Sequence, residues 1–311
     1  MRTKGINLGA AMWLLLLPAT FLTSCTKDDD AANNTAVTLT FTTRAPGDGT
    51  DPNLLPGEGM KHLRIIVEED QSSIRYNYTH TFTSEETSHT VKFGDLYAGK
   101  TYHFYAVANE SSFDGKFDGT SPEVVIRLQK TALTADPNSL IGQGKSLPAS
   151  GTLTLEQLNG ITSLKKNISL KRVVAKVNLT IKNETGNSQT LNDVKIADAS
   201  AEKTPLLEGT SIPVGTKKEV SWGTIDVPAK GYNAVRYLYE SSQTSGFQLT
   251  AIWNGKMYEL PLVTSGKPIT EIPRNTQLNL TVTLKENAAQ PCTLVCELAP
   301  WTEKELTPEY Q

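Results

Sequence analysis

In Val173-Val174-Ala175-Lys176-Val177-Asn178-Leu179-Thr180-Ile181-Lys182 the odd-numbered residues are apolar, and Lys176, Asn178, Thr180 and Lys182 stand between them. Period-two alternation of this kind predicts a strand with one face in a core and one in water. The same pattern recurs in Leu278, Leu280, Val282 and Leu284, and in Val37, Leu39 and Phe41 set among Thr38, Thr40 and Thr42. Shorter apolar runs at Leu63 to Val67, Ile74 to Tyr78, Val91 to Phe93, Tyr102 to Ala108, Leu153 to Leu158, Val194 to Ile196, Val220 to Trp222, Val235 to Tyr239 and Phe247 to Trp253 complete the series. Trp253-Asn254-Gly255-Lys256 is a hairpin signal, because Asn-Gly accepts the positive φ values of a type I′ turn. The one helix that the sequence predicts starts at Ser121-Pro122-Glu123, with serine as cap and proline at the first helical position, and runs through Lys130. Many short strands separated by turn signals at intervals of roughly ten residues mean an all-β protein of antiparallel sandwiches.

The chain of 311 residues is long enough for two domains with sizeable cores. The sequence divides into a leader at residues 1–24, a tether with a first strand at 25–52, one sandwich at 53–168 and a second at 169–311, with the boundary near Asn167 to Leu170. The leader has Arg2 and Lys4 at its start, an apolar run from Ala10 to Phe21 interrupted by Pro18, and then Leu22-Thr23-Ser24-Cys25. That run is too short to span a bilayer, which takes about 20 apolar residues, and the layout is that of a secretory signal. A cysteine at the cut site marks a bacterial lipoprotein signal: Cys25 becomes the diacylated first residue, palmitate-type chains hold it to the outer membrane, and two or three chains make a stable anchor where one would be marginal. The Asp28-Asp29-Asp30 run beyond it reads either as a solvated tether or as a surface-export tag.

The formal net charge of -3 is spread without a basic stripe, so no nucleic-acid partner is expected. His62, His80, His89 and His103 fall in no metal-ligand spacing, and neither a nucleophile elbow nor a phosphate-binding glycine loop is present. No catalytic residue, metal or cofactor is assigned, and the chain is not read as an enzyme. The Asp114 to Gly119 segment lacks the ligand series of a calcium loop and reads as a glycine turn. Cys292 and Cys296 lie about 13 Å apart along an extended strand, beyond the roughly 7 Å reach of a disulfide. They read as small hydrophobes on one face with Leu294.

Leu96-Tyr97-Ala98-Gly99 followed by Tyr105-Ala106-Val107-Ala108-Asn109-Glu110, then Leu147-Pro148-Ala149-Ser150-Gly151 and Ile168 to Val177, then Tyr237 to Ser241, Ile272-Pro273-Arg274-Asn275-Thr276 and Pro300-Trp301, together resemble the fimbrillin family, the two-domain pilins of Bacteroidota surface fimbriae. The matches keep their order over nearly all of the chain after Cys25. The resemblance implies two tandem transthyretin-like β-sandwiches and a structural or adhesive subunit that partners other fimbrial subunits. It further implies that an arginine-specific protease cuts between Arg44 and Ala45, removing Cys25 and the plug strand Val37, Leu39 and Phe41 together. A donor tail from the next subunit then fills the slot, expected from about Leu294, with Cys296, Leu298, Leu306 and Tyr310 as its apolar residues. Arg44 also fits a plain strand end, Pro308 interrupts the tail, and Trp301 fits a plug of the second core. The rival reading is a surface lipoprotein that keeps its anchor, as a fimbrial base or as a binder of host protein or glycan.

Overall fold

Alternation becomes burial in the computed structural model, which describes residues 34–43, 55–113, 115–158, 162–209, 211–212, 216–286 and 289–301. The first half holds β1 (Asn34–Thr42), β2 (Met60–Glu69), β3 (Ser73–Glu86), β4 (Ser88–Tyr97) and β5 (Tyr102–Ala108), then α1 (Glu123–Lys130), α2 (Pro137–Gly142), β6 (Ala149–Leu155) and β7 (Ser163–Ser169). The second holds β8 (Val174–Asn183), β9 (Gln189–Ala201), β10 (Lys217–Val227), β11 (Tyr232–Tyr239), β12 (Gln248–Trp253), β13 (Lys256–Pro261), β14 (Thr276–Leu284) and β15 (Cys292–Pro300). Two-residue strands lie between these elements.

A three-stranded sheet in the order β4-β1-β7 faces a sheet of order β3-β2-β5-β6, which the two-residue strand Lys171–Arg172 extends. Val37, Leu39 and Phe41 from the first meet Leu63, Ile65, Tyr102 and Phe104 from the second in one apolar core. In the other half, β11-β8-β14-β15 faces β10-β9-β12-β13, with Val177, Leu179, Leu278 and Leu280 packed against Ile196, Trp222, Leu249 and Trp253. The fold is a pair of β-sandwiches, antiparallel except for one pair in each: β1 runs parallel to β7 and β8 parallel to β14. A hairpin cannot make such a pair, so each strand joins a distant stretch of chain. From Asn34 onward the residues cluster as one compact unit.

A third apolar cluster joins the two. α1 lays Val124, Val125 and Leu128 on Ile66 and Val107, on the side of the five-stranded sheet away from its sandwich core, and the cluster continues through Leu147, Val173, Val174, Tyr237, Tyr239 and Trp301. β2 is therefore buried on both faces, which is why its sequence reads Leu-Arg-Ile-Ile-Val rather than as strict alternation. The chain passes from one sandwich to the other over a few residues: Leu170 belongs to the first core, Val173 and Val174 to the shared cluster, Ala175 to the second.

The hairpin expected at Trp253–Lys256 is present, with Asn254 at φ 50° and Gly255 at φ 72° and Trp253 paired to Lys256. Four elements differ from the sequence reading. α1 starts at Glu123 with Pro122 in the cap position, one residue later than the expected serine cap, and has no side-chain cap hydrogen bond. β3 runs to Glu86 through a threonine-rich half that lies at a sheet edge. β7 is a full strand although only Leu164 and Ile168 in it are apolar, because it is also an edge and exposes most of its side chains. α2 lies in a stretch read as irregular and is capped by Asp136, whose carboxylate accepts from the amides of Asn138 and Ser139, with Pro137 in the first turn.

Gly151 in β6 is required by a close approach. A Cβ there would stand 2.5 Å from the Ser169 carbonyl and 3.1 Å from both Ile168 Cγ2 and Leu170 Cδ2. Gly151→Ala is expected to lower stability by about 1–3 kcal/mol, the usual cost of overpacking a fitted core. A fall in the urea midpoint checks this; an unchanged midpoint would mean that β7 gives way freely.

Candidate assembly site

β1 is the central strand of its three-stranded sheet. It pairs antiparallel with β4 from Asn34 to Thr42 and parallel with β7 from Ala36 to Thr42, so both backbone edges are covered. Its side chains alternate between the core and the half-exposed outer face, and Val37, Leu39 and Phe41 are fully buried. Beyond the strand, the Thr43 amide donates to Thr87 O at 3.0 Å and the Leu170 amide to Thr42 O at 2.6 Å. Taking such a strand away leaves β4 and β7 facing one another across about 10 Å, two strand spacings, each with an unpaired ladder. It also uncovers the places of three apolar side chains, each contributing roughly 1.5–3 kcal/mol.

At the far end of β1 lies a buried polar junction between the sandwiches. The Arg172 side chain, 1% exposed, donates from Nη1 to Thr43 O at 3.3 Å and from Nε to Glu58 O at 3.1 Å. The Glu58 carboxylate receives Lys176 Nζ at 2.8 Å and the Tyr237 hydroxyl at 2.8 Å. Burial, and then that carboxylate, push the Tyr237 hydroxyl far above the usual tyrosine range, so it stays protonated and donates. Glu85 closes the loop before β2 by accepting from the amides of Gly57 and Gly59. A second buried pair, Arg274 with Glu240, is held by Thr204 and by the Leu206 carbonyl. Charges this deep are stable only because each is paired and hydrogen-bonded.

Among the described residues, the C-terminal strand β15 is the edge of its sheet and pairs with β14. Leu294, Cys296 and Leu298 turn inward and pack partly buried on the second core, while Val295 on the other face is 71% exposed. Cys292 and Cys296 carry free thiols, and burial raises the pKa of Cys292 to about 11. The segment expected as a donor from about Leu294 is thus seated in the protein's own sheet as far as Pro300. Trp301 follows, buried in the junction, its ring stacked on Tyr237 at 6.0 Å and faced by the Arg172 guanidinium at 4.4 Å. Cys25, Arg44, Ala45, Leu306 and Tyr310 lie outside the described residues.

The structure brings together what the sequence could not: Thr43 just after β1, Glu58 beyond Arg44 in the sequence, and Trp301 after β15 all meet at Arg172. Arginine and lysine flanking an apolar run were the only trace, and they look like the ordinary wet side of a strand. Elsewhere, a cleft of about 880 Å³ is lined by Lys61, His62, Arg64, Thr81, Glu110 and Phe113 among others. Its arginine is engaged internally by Glu110, Asn77 and Asp118, so the Asp118 turn serves an ion pair.

No protein-family profile and no curated protein matches the chain. Solved structures do. The tip fimbrial protein Mfa3 from Porphyromonas gingivalis, with C-terminal truncation, superposes with a TM-score of 0.59 at 14% identity, covering 86% of this chain and all of its own. The fimbrilin FimA from Porphyromonas gingivalis W83 gives a TM-score of 0.55 at 12% identity, over 88% of this chain and 99% of its own. The fold is that of fimbrial proteins of the Bacteroidota.

His89 stands opposite Phe41 in the β1–β4 ladder, its ring stacked on His80 at 4.3 Å with Phe82 edge-on at 5.1 Å. Burial, and then the nearby His80, hold the His89 imidazole below its ordinary value. The unfolded chain therefore takes up this proton at a higher pH than the folded one, and stability falls as pH drops below the ordinary histidine value. Burial lowers His62 as well. The urea midpoint is expected to decrease between about pH 7.5 and about pH 5.5, and His89→Gln should flatten part of that slope; an equal slope in the variant would place the titration elsewhere.

Proposed function

We propose that the protein is a structural fimbrial subunit of the cell surface, exported as a lipoprotein on Cys25 and assembled by exchange of β1 for a strand of a neighbouring subunit. The observation that carries this reading is the seat of β1. The segment closest to the lipid-bearing cysteine is also a central strand, buried on one face and paired on both edges. Cleavage between Arg44 and Ala45 would cut it from everything that follows. Its loss leaves two open ladders and an apolar slot, and a strand added in trans restores both. The likeness of the fold to that of fimbrial proteins, and the order of the fimbrillin-like segments, point the same way, as does the transthyretin-like arrangement that the family resemblance implies.

A second reading has one specific observation in its favour. Leu294, Cys296 and Leu298 are already seated in the protein's own sheet, so the apolar residues left to a free donor are Leu306 and Tyr310, with Pro308 between them. A subunit that accepts a strand but keeps its lipid, as the anchor of a fimbria, needs no donor of its own. Mass spectrometry of the native N-terminus separates the two, with acylated Cys25 for the anchor and Ala45 for the processed subunit.

Arg44→Ala is expected to leave a lipidated protein that does not polymerise, read as the loss of heat-resistant ladders on gels. Ladders of normal length in that variant would overturn processing at this bond. Truncation after Trp301 is expected to leave the fold intact and to stop chain growth; wild-type assembly by the truncated chain would exclude residues 302–311 from the donor.

A further inference from the structure

We propose that Arg172 couples the seat of β1 to the seat of the C-terminal strand, so that a subunit's own tail is held down until its N-terminal strand has left. The proposal rests on the reading of β1 as removable and concerns the order of events that follows.

Three parts of the chain that are far apart in sequence share this one guanidinium. Nη1 donates to the carbonyl of Thr43, the residue that follows β1. Nε donates to the carbonyl of Glu58, which lies beyond Arg44 and Ala45 in the sequence. The face of the group lies 4.4 Å from the Trp301 ring centre. Lys176 reaches the same ring at 5.5 Å, and Tyr237 stacks on it. The backbone doubles the link, because the Arg172 amide donates to Asn275 Oδ1 at 3.1 Å and the Trp301 amide to Asn275 O at 3.0 Å.

A guanidinium is a rigid planar fork, so a turn that serves one acceptor moves all its donors and its face together. While β1 is seated, the carbonyls of Thr43 and Glu58 help to fix the plane over Trp301. When β1 leaves, the Thr43 carbonyl leaves with it. A buried donor that loses one of its acceptors costs free energy until it finds another or meets water, and the opened slot admits water beside it. The plane turns, and the cation that faced the indole no longer does.

What this releases is set by how β15 is held. It has one ladder partner, and along its length Leu294, Cys296 and Leu298 are only half-buried. The buried residues sit at its two ends, Cys292 at 7% exposure and Trp301 at 4%. Freeing Trp301 lets the strand fray from its C-terminal end toward Leu294, in the part of the chain that assembly needs extended. A subunit that still carries its own plug keeps its tail docked and does not enter another subunit early.

Hydrogen exchange on the full-length chain tests this through a double-variant cycle. Leu39→Ala loosens β1 from within. It is expected to speed exchange in β1 and also in Cys292–Trp301, by about fivefold or more, the lower end of ordinary coupling, while β9 and β10 in the opposite sheet keep their rates. In an Arg172→Met background, β15 should exchange fast from the start and no longer respond to Leu39→Ala. Exchange confined to β1, a uniform rise through the second sandwich, or a response that survives Arg172→Met would each overturn the proposal. Should Arg172→Met fail to fold, Arg172→Lys keeps the charge without the fork and is expected to weaken the response; an undiminished response would be equally fatal. The outcome does not depend on Arg44: a protein never cut in the cell would end the processing reading and leave this exchange result standing.

Discussion

A strand in the middle of a sheet has no spare edge, and the first sandwich depends on that constraint. β1 is hydrogen-bonded to β4 on one side and β7 on the other, and these two strands do not touch without it. Nothing else in the three-stranded sheet can close the gap, because β7 enters from the far end of the first half of the chain and runs parallel to β1. The slot is thus defined by β4 and β7 and filled by a strand that lies at the N-terminal end of the described chain. Continuity with a breaker-rich segment at Thr43 makes it the part of the sheet most easily separated by a single cut.

The junction between the sandwiches follows from the same geometry. Each sandwich has its own apolar core, so the surface between them must bury the polar ends of strands, and the fold fills it with paired charges. Glu58 with Lys176 and Tyr237, Arg274 with Glu240, and Arg172 with backbone carbonyls are all hydrogen-bonded. Such groups gain little net stability over apolar packing but tolerate only one mutual arrangement, since misplacing any one strands a buried charge. The two sandwiches consequently share Trp301, Tyr237 and α1 as parts of one cluster.

How far this was legible from residues alone depended on the kind of signal. Alternation at Val173 to Ile181, Leu278 to Leu284 and Val37 to Phe41 is imposed by a half-buried sheet and could be read directly, as could the Asn254-Gly255 turn. β7 could not, because an exposed edge strand is selected by its backbone pairing and leaves Ser163-Leu-Lys-Lys-Asn-Ile-Ser169 without alternation. The seat of β15 could not be read for a related reason: Leu294, Cys296 and Leu298 carry the period-two signal of a strand, but periodicity does not say whose sheet receives it. Arg172 was invisible as a site, because the carbonyls of residues 43 and 58 are among its acceptors, and backbone acceptors leave no mark in side-chain sequence.

β1 and β15 also differ in a way that bears on which can replace which. Both place apolar residues at positions i, i+2 and i+4, Val37-Leu39-Phe41 in one and Leu294-Cys296-Leu298 in the other. In β1 all three are fully buried between two ladders, and in β15 all three are partly buried beside one. A strand that leaves an edge to enter a central slot gives up one ladder and half-burial, and gains two ladders and full burial. Exchange in that direction is therefore downhill once the slot is open, by whatever the second ladder and the additional apolar area contribute. The reverse transfer, from a filled slot back to an edge, must lose both. On the proposed route a fibre joined in this way would be held at each step by the difference between the two seats, and that difference would appear only after the first strand had gone.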